Sequence, residues 1–342
     1  MQTSAAAIIF TGLTISTTLV MISNNWLLAW LSLEMNTLAI LPVISKTKHP
    51  RAVEASTKYF LTQAIASCLL LFSCTANAWY TGTWSITQMD NPYTSTTMLI
   101  ALTMKAGTAP THFWLPEVMQ GSTLTTTMLI STWQKIAPMT LIFLMSNHTQ
   151  PNITLMLGLL STTFGGWGGM NQTQLRKMMA YSSIANMGWT VLALTSQPKA
   201  SMISLFIYII TIIPTISIME LTSTKTLQNM TTSWTTSPTT STALTLLLLS
   251  TAGLPPLTGF IPKLLILNEL VIQNLTPIAV AATTASLLSL VFYLRTAYLT
   301  ALLNSPGSAT STMKWRQKIK TKSTILAPTA LTTMTMLPSM IK

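Results

Sequence analysis

Polar punctuation cuts this chain into apolar stretches of about the twenty residues that a helix needs to cross a bilayer. Read that way, spans fall at 3–23, 25–45, 59–80, 95–119, 124–145, 152–170, 175–195, 200–221, 241–271, 277–300 and 323–341. The longest polar stretch, 301–322, ends in Lys314, Arg316, Lys318, Lys320 and Lys322. The expectation is an all-α integral membrane protein of about eleven helices with short loops and no soluble domain. Composition agrees: 7% of the 342 residues are charged, where soluble domains carry about 25%. Hydrophobic residues reach 49%, a count that omits threonine, which is about one residue in six. A threonine hydroxyl can bond a carbonyl one turn back along its own helix, so threonine is tolerated inside a membrane helix. Soluble-enzyme readings fall here.

Charge gives the orientation. With the N-terminal side called A, that side receives Lys46, Lys48, Arg51, Lys58, Arg176, Lys177, Lys225 and the five basic residues of 314–322. The opposite side B receives Lys199 and Lys342. So strong a bias makes side A the inside and puts the C-terminus outside. The net charge of +12 therefore reads as loop charge and not as a nucleic-acid surface. Cys68 and Cys74, the only cysteines, point to different faces of one helix, so neither a disulfide nor a metal pair is expected. No cleavable signal or Arg-rich presequence is read at the N-terminus, so the first helix is expected to direct insertion.

Four basic residues remain within spans: Lys105, Lys135, Lys263 and Arg295. Arg295 lies near the side-A end of its helix and can snorkel, a mainly structural role. The deepest acid is Glu34, within the apolar run from Trp26 to Ile44. Counted by helical rise, Glu34, Lys105, Lys135 and Lys263 lie about 14, 15, 17 and 12 Å inside the membrane from the ends of their helices. All four fall near the midplane of a hydrocarbon core about 30 Å thick. A charge there costs at least about 2.5–3.5 kcal/mol. Static ion pairs are one explanation, but one carboxylate cannot neutralise three ammonium groups. The other is a hydrated row of lysines able to take up and release protons, with Glu34 close enough to Lys105 to interact.

The backbone points the same way. Lys105 is followed by Gly107, Pro110 and Pro116, and Lys263 is preceded by Gly253, Pro255, Pro256, Gly259 and Pro262. Proline removes an amide donor, so both helices should be interrupted at membrane depth, where irregular backbone survives only buried in protein or lining a water-filled cavity. Two interrupted helices of opposed direction suggest an inverted-repeat transporter. His112, inside the first break, is a candidate proton relay or a structural hydrogen-bonding group. Glu117, which ends that segment near side A, is a candidate for the mouth of a proton path or a plain surface charge.

At these residues the chain resembles the antiporter-like membrane subunits of NADH:ubiquinone oxidoreductase, respiratory complex I. The segments are Asn-Trp-Leu-Leu-Ala-Trp-Leu-Ser-Leu-Glu-Met-Asn (25–36), Met-Lys-Ala-Gly-Thr-Ala-Pro-Thr-His-Phe-Trp-Leu-Pro-Glu-Val (104–118), Trp-Gln-Lys-Ile-Ala-Pro (133–138) and Gly-Leu-Pro-Pro-Leu-Thr-Gly-Phe-Ile-Pro-Lys (253–263). By that resemblance the family's buried glutamate maps onto Glu34 and its midmembrane lysines onto Lys105, Lys135 and Lys263. The implied fold is two inverted repeats, the first truncated at its N-terminus, with the broken helices at their centres. The single transmembrane domain would divide into helices over 1–94, a central set over 95–221 and a second repeat over 241–342. The resemblance also implies the mitochondrial inner membrane, with the N-terminus on the matrix side and the C-terminus on the intermembrane side. It implies partners among the other membrane-arm subunits, the neighbours being chains 4 and 4L, and lipid.

Weaker signals are set aside. Asn147, Asn152, Asn171, Asn229 and Asn274 match Asn-X-Thr, but so threonine-rich a chain generates such matches by chance. Gly165, Gly166, Gly168 and Gly169 are expected to allow close helix packing, with a hinge as the minority reading, and His49 and His148 to be solvated loop residues. No dinucleotide fingerprint, P-loop or cysteine cluster is present. The chain is therefore expected to bind no cofactor; FMN, iron–sulfur clusters and the reactions of NADH and ubiquinone belong to other subunits. Competing functions are an autonomous cation/proton antiporter, which would be expected to offer more core carboxylates, and a structural scaffold.

Overall fold

The computed structural model describes residues 3–47, 49–89, 91–230 and 238–301. Among the described residues the regular structure is helical, with no named strand. Lipid offers backbone groups no hydrogen bonds, and helices satisfy theirs internally. The helices are α1 (Thr3–Ile22), α2 (Trp26–Ile44), α3 (Pro50–Thr81), α4 (Pro92–Ala106), α5 (Trp114–Gly121), α6 (Leu124–Ser131), α7 (Trp133–Leu144), α8 (Pro151–Met170), α9 (Leu175–Ser196), α10 (Pro198–Leu221), α11 (Pro238–Ala252), α12 (Phe260–Ile272) and α13 (Thr276–Ala301). Threonine behaves as its chemistry suggests. Thr103, Thr190 and Thr296 donate to the carbonyls of Ile100, Met187 and Tyr293 at 2.9, 2.7 and 2.7 Å.

Polar and apolar side chains are placed as a membrane requires. Ser73, Asn77, Ser161 and Thr215 are wholly buried, while Phe10, Leu28, Phe72 and Trp79 are exposed. So much exposed apolar surface suits a lipid face. Four stretches are each long and apolar enough to cross a membrane: Trp26–Thr47, Pro50–Thr81, Pro198–Leu221 and Thr276–Thr300. The expected spans 95–119, 124–145 and 241–271 each divide into two helices. The expected span 323–341, the basic cluster 314–322, Lys48 and Lys342 lie outside the described residues.

Two compact units meet in sequence between Leu160 and Ser161. In the first, α1 packs on α2 and α7, α2 on α3, α3 on α4 and α5, and α4 on α7. The 32 residues of α3 rise about 48 Å, well beyond the hydrocarbon core. Its first turns, where Glu54 and Lys58 are exposed, therefore overhang the membrane. His49 is part of that overhang as a helix cap, its ring nitrogen accepting from the Arg51 amide at 3.2 Å. In the second unit, α9 packs on α10, α12 and α13, α10 on α11 and α12, and α11 on α13. The four glycines of α8 allow close approach. A Cβ at Gly165 would meet the Ala185 backbone at 2.5 Å, and one at Gly169 the Phe292 ring at 2.7 Å.

Candidate functional site

The first break follows Lys105 directly. Gly107 ends α4 in the left-handed region at φ 78°, which favours glycine. A Cβ there would also come within 2.6 Å of Leu115. Irregular backbone runs from 107 to 113, and α5 restarts at Trp114. Pro116 falls in the first turn of α5, where no amide donor is needed, and so does not extend the break. His112 is buried, its Nδ1 3.2 Å from the Pro110 carbonyl oxygen.

Lys105, in the last turn of α4, is buried with its Nζ 3.9 Å from Glu34 Oε2. At that distance opposite charges attract strongly, but no direct hydrogen bond forms. Neither atom has a hydrogen-bond partner of its own. The juxtaposition of Glu34 and Lys105 expected from sequence is therefore present. The end of α4 also suits a cation, because the partial negative charge of a helix collects at its C-terminus.

Lys135 adjoins a break that the sequence reading does not anticipate. The expected span 124–145 divides at Thr132, whose φ and ψ of −113° and −72° separate α6 from α7. The Lys135 amide reaches the Thr132 carbonyl at 3.3 Å in a single tight turn. Pro138 lies one turn later and supplies no amide to the Gln134 carbonyl. Lys135 is buried, the third residue of α7. It shares a small cavity of about 20 Å³ with Lys105, room for about one water. Asn36, Thr37, Gln63 and Gln134 supply further polar wall. Asn36 and Gln134 form a reciprocal amide pair across α2 and α7, at 2.9 and 3.1 Å.

In the second unit the break runs from Gly253, at φ 84°, to Gly259. A Cβ at Gly259 would lie 1.9 Å from the Ser250 carbonyl oxygen, so the returning chain passes too close for any side chain. Lys263 is buried in the first turn of α12 and donates to the Ala252 carbonyl at 2.6 Å. It thereby satisfies a carbonyl left open at the end of α11. Its Nζ is also 5.9 Å from the Trp189 ring centroid. A second cavity of about 20 Å³ lies beside it, lined by Asn186, Ser204, Tyr208 and Thr251 among others.

Glu117 is half exposed on α5 and pairs with Lys58 of α3 at 2.7 Å, and Lys58 also pairs with Glu54. The hydrogen bonds that Lys58 donates to Glu117 and then Glu54 hold its ammonium above the ordinary range, and the Lys58 bond holds the Glu54 carboxyl below its own. Sequence offers only the Glu54–Lys58 spacing of one helical turn; nothing in it joins Lys58 to Glu117. Arg295 donates to the Met170 carbonyl at 3.3 Å in exposed surroundings, and Cys68 and Cys74 are one exposed and one buried.

Comparison with known proteins places this architecture. A family model described as NADH:quinone oxidoreductase/Mrp antiporter, TM, matches residues 23–289. NADH-ubiquinone oxidoreductase chain 2 of Xenopus laevis is 47% identical over 321 residues, covering 94% of this chain and 93% of the relative. That of Salmo salar is 49% identical over 309 residues, covering 90% and 88%. Among solved structures, a chain of respiratory complex I from Thermus thermophilus with bound Aureothin superposes with a TM-score of 0.82 at 24% identity, covering 96% of this chain and 78% of that one. A chain of the archaeal membrane-bound sulfane sulfur reductase gives 0.83 at 19% identity, covering 98% and 72%. At those identities the two structures speak to fold alone.

Proposed function

The chain belongs to the transmembrane family shared by NADH:quinone oxidoreductases and Mrp antiporters, and from that premise we propose that it carries protons through the membrane arm of respiratory complex I. It is a membrane-arm subunit of NADH:ubiquinone oxidoreductase, like the chain 2 relatives it matches over nearly their whole length. Electron transfer from NADH to ubiquinone, with its FMN and iron–sulfur clusters, belongs to other subunits. In this reading the eleven spans form two inverted repeats, the first truncated. The N-terminus faces the mitochondrial matrix and the C-terminus the intermembrane space. Chains 4 and 4L are neighbours.

One observation carries the reading. Each of the three buried lysines sits beside an interruption of a membrane helix: Lys105 before 107–113, Lys135 after Thr132, and Lys263 after 253–259. Such interruptions bring polar backbone and small cavities to the ammonium groups, as a proton-handling site needs. Static pairing falls short of the set: Glu34 stands 3.9 Å from Lys105, and that one carboxylate cannot neutralise three ammonium groups. Glu34 holds Lys105 charged. A conformational step that withdraws Glu34 releases the proton to the cavity, where the Lys135 amine can receive it. His112 is a further relay within the break, and Glu117, tied to Lys58, stands near the side-A mouth.

The test has two parts. Purified in mild detergent, the chain should leave the membrane with the other complex I subunits; recovery alone or as a homodimer would favour a free-standing antiporter. In the assembled complex, Lys105→Met should lower the protons moved per NADH oxidised. Wild-type pumping in that variant would remove Lys105 from the path.

A further inference from the structure

The cavity shared by Lys105 and Lys135 has a wall that proton transfer by the lysines does not require: the Asn36–Gln134 pair. Each amide donates to the other, at 2.9 and 3.1 Å, and Asn36 is 2% exposed. Burying the Asn36 amide, with Gln134 half-buried against it, costs free energy that an apolar side chain of similar size would not. Closed on each other in this ring, each amide gives one donor and one acceptor to the other instead of to a water in the cavity. A water there then has fewer of the two to four partners it needs. An amide also gains and loses protons far outside the physiological range, so neither residue can itself be a proton carrier.

We infer that Asn36 and Gln134 are positioning residues of the proton path, their closed pair limiting the cavity that Lys105 and Lys135 share to about one water and its opening letting a line of water join the two lysines. The inference rests on the lysine reading given above and adds the element that times it. Two features show how the pair could open. Glu34 and Asn36 are two residues apart on α2, about 200° around the helix, so one faces Lys105 of α4 and the other Gln134 of α7. A roll of α2 that withdraws Glu34 from Lys105 therefore also pulls Asn36 off Gln134. On the other side, Gln134 follows the break at Thr132 by two residues, so the start of α7 has little helical ladder to resist a tilt. Opening frees a donor and an acceptor on each amide, enough to extend one water into a line between the two lysines.

The experiment uses the complete complex reconstituted in sealed vesicles, with protons moved per NADH oxidised as the readout. Asn36→Ala leaves the Gln134 amide without its partner and enlarges the cavity. The open state should gain about tenfold in population, which is about 1.4 kcal/mol. NADH oxidation per assembled complex should stay near wild type while protons per NADH fall. Asn36→Gln combined with Gln134→Asn rebuilds a reciprocal pair and should restore the ratio. If Asn36→Ala assembles poorly, Gln134→Ala is read in the same way. A pair that only glues α2 to α7 would lower the amount of complex without changing the ratio. An unchanged ratio in the single variants, with Lys135→Met impaired, overturns this inference and leaves the lysine reading standing. Wild-type pumping in Lys135→Met overturns the lysine reading itself.

Discussion

Gly253→Ala tests how the second break holds its lysine. Gly253 lies at φ 84°, and a Cβ there would sit 2.9 Å from Lys263 Nζ and 3.0 Å from its Cδ. The left-handed backbone alone costs a non-glycine residue about 1–2 kcal/mol. Displacing the ammonium from the Ala252 carbonyl, now 2.6 Å away, loses a charge-assisted hydrogen bond of about 1.5–3 kcal/mol. Together the effects come to about 2.5–5 kcal/mol. Gly82→Ala separates the two parts, because Gly82 has φ 69° but nothing within 4 Å of an added Cβ. It carries the backbone penalty and no displaced lysine. Native-gel quantitation gives assembled complex, and NADH:ubiquinone turnover per complex with vesicle acidification gives coupling. Gly82→Ala should lower stability modestly with normal coupling per complex, whereas Gly253→Ala should also lower coupling. Equal coupling in the two variants would refute the claim that the Lys263–Ala252 contact matters to function.

Three further outcomes follow from the geometry. Glu34→Gln keeps the shape of the side chain but removes the charge 3.9 Å from Lys105, so coupled turnover should fall while native-gel assembly stays near wild type. Trp189→Leu removes the ring beside Lys263, a contact worth about 0.5–2 kcal/mol, and should impair coupling less than Gly253→Ala because the Ala252 bond remains. Lys58→Met breaks the links to Glu54 and Glu117 outside the hydrocarbon core, and the thermal stability it removes should depend on pH with a definite sign. The Glu54 contribution is present above the ordinary carboxyl value of 4.5 and lost as pH falls through its lowered folded value. The Lys58 contribution is present below the ordinary 10.5 and lost as pH rises through its raised one. The gap between wild type and Lys58→Met should thus be flat from 4.5 to 10.5 and close on the acid side, as thermal scans at several pH values can check.

The breaks near Lys105 and Lys263 were legible because glycine and proline announce themselves. Gly107 and Gly253 take backbone angles that other residues avoid, and they frame the proline-rich segments. The break at Thr132 was hidden: threonine carries no such mark, and the nearby Pro138 alone would suggest a kink inside a continuous span. The burial of Lys105 was readable from its place in an apolar run, and its proximity to Glu34 from the cost of an unpaired charge. No such rule joins Asn36 to Gln134, 98 positions away, or Lys58 to Glu117. Either pairing depends on how α2 meets α7 or α3 meets α5, which apolar periodicity cannot fix when lipid and core favour the same residues. The glycines of α8 were readable as small, but their partners, Ala185 and Phe292 among them, appear only once the helices pack.

The central claim is that the buried lysines carry protons, and Lys135 tests it most directly because it is 2% exposed and stands beside the break at Thr132. Quinone reduction and membrane potential should be recorded together in the assembled complex for Lys135→Met, beside Lys46→Met at an exposed position. The account predicts that Lys46→Met matches wild type in both, while Lys135→Met slows quinone reduction and builds a smaller potential. Wild-type values of both in Lys135→Met would contradict it and leave the lysines a structural role.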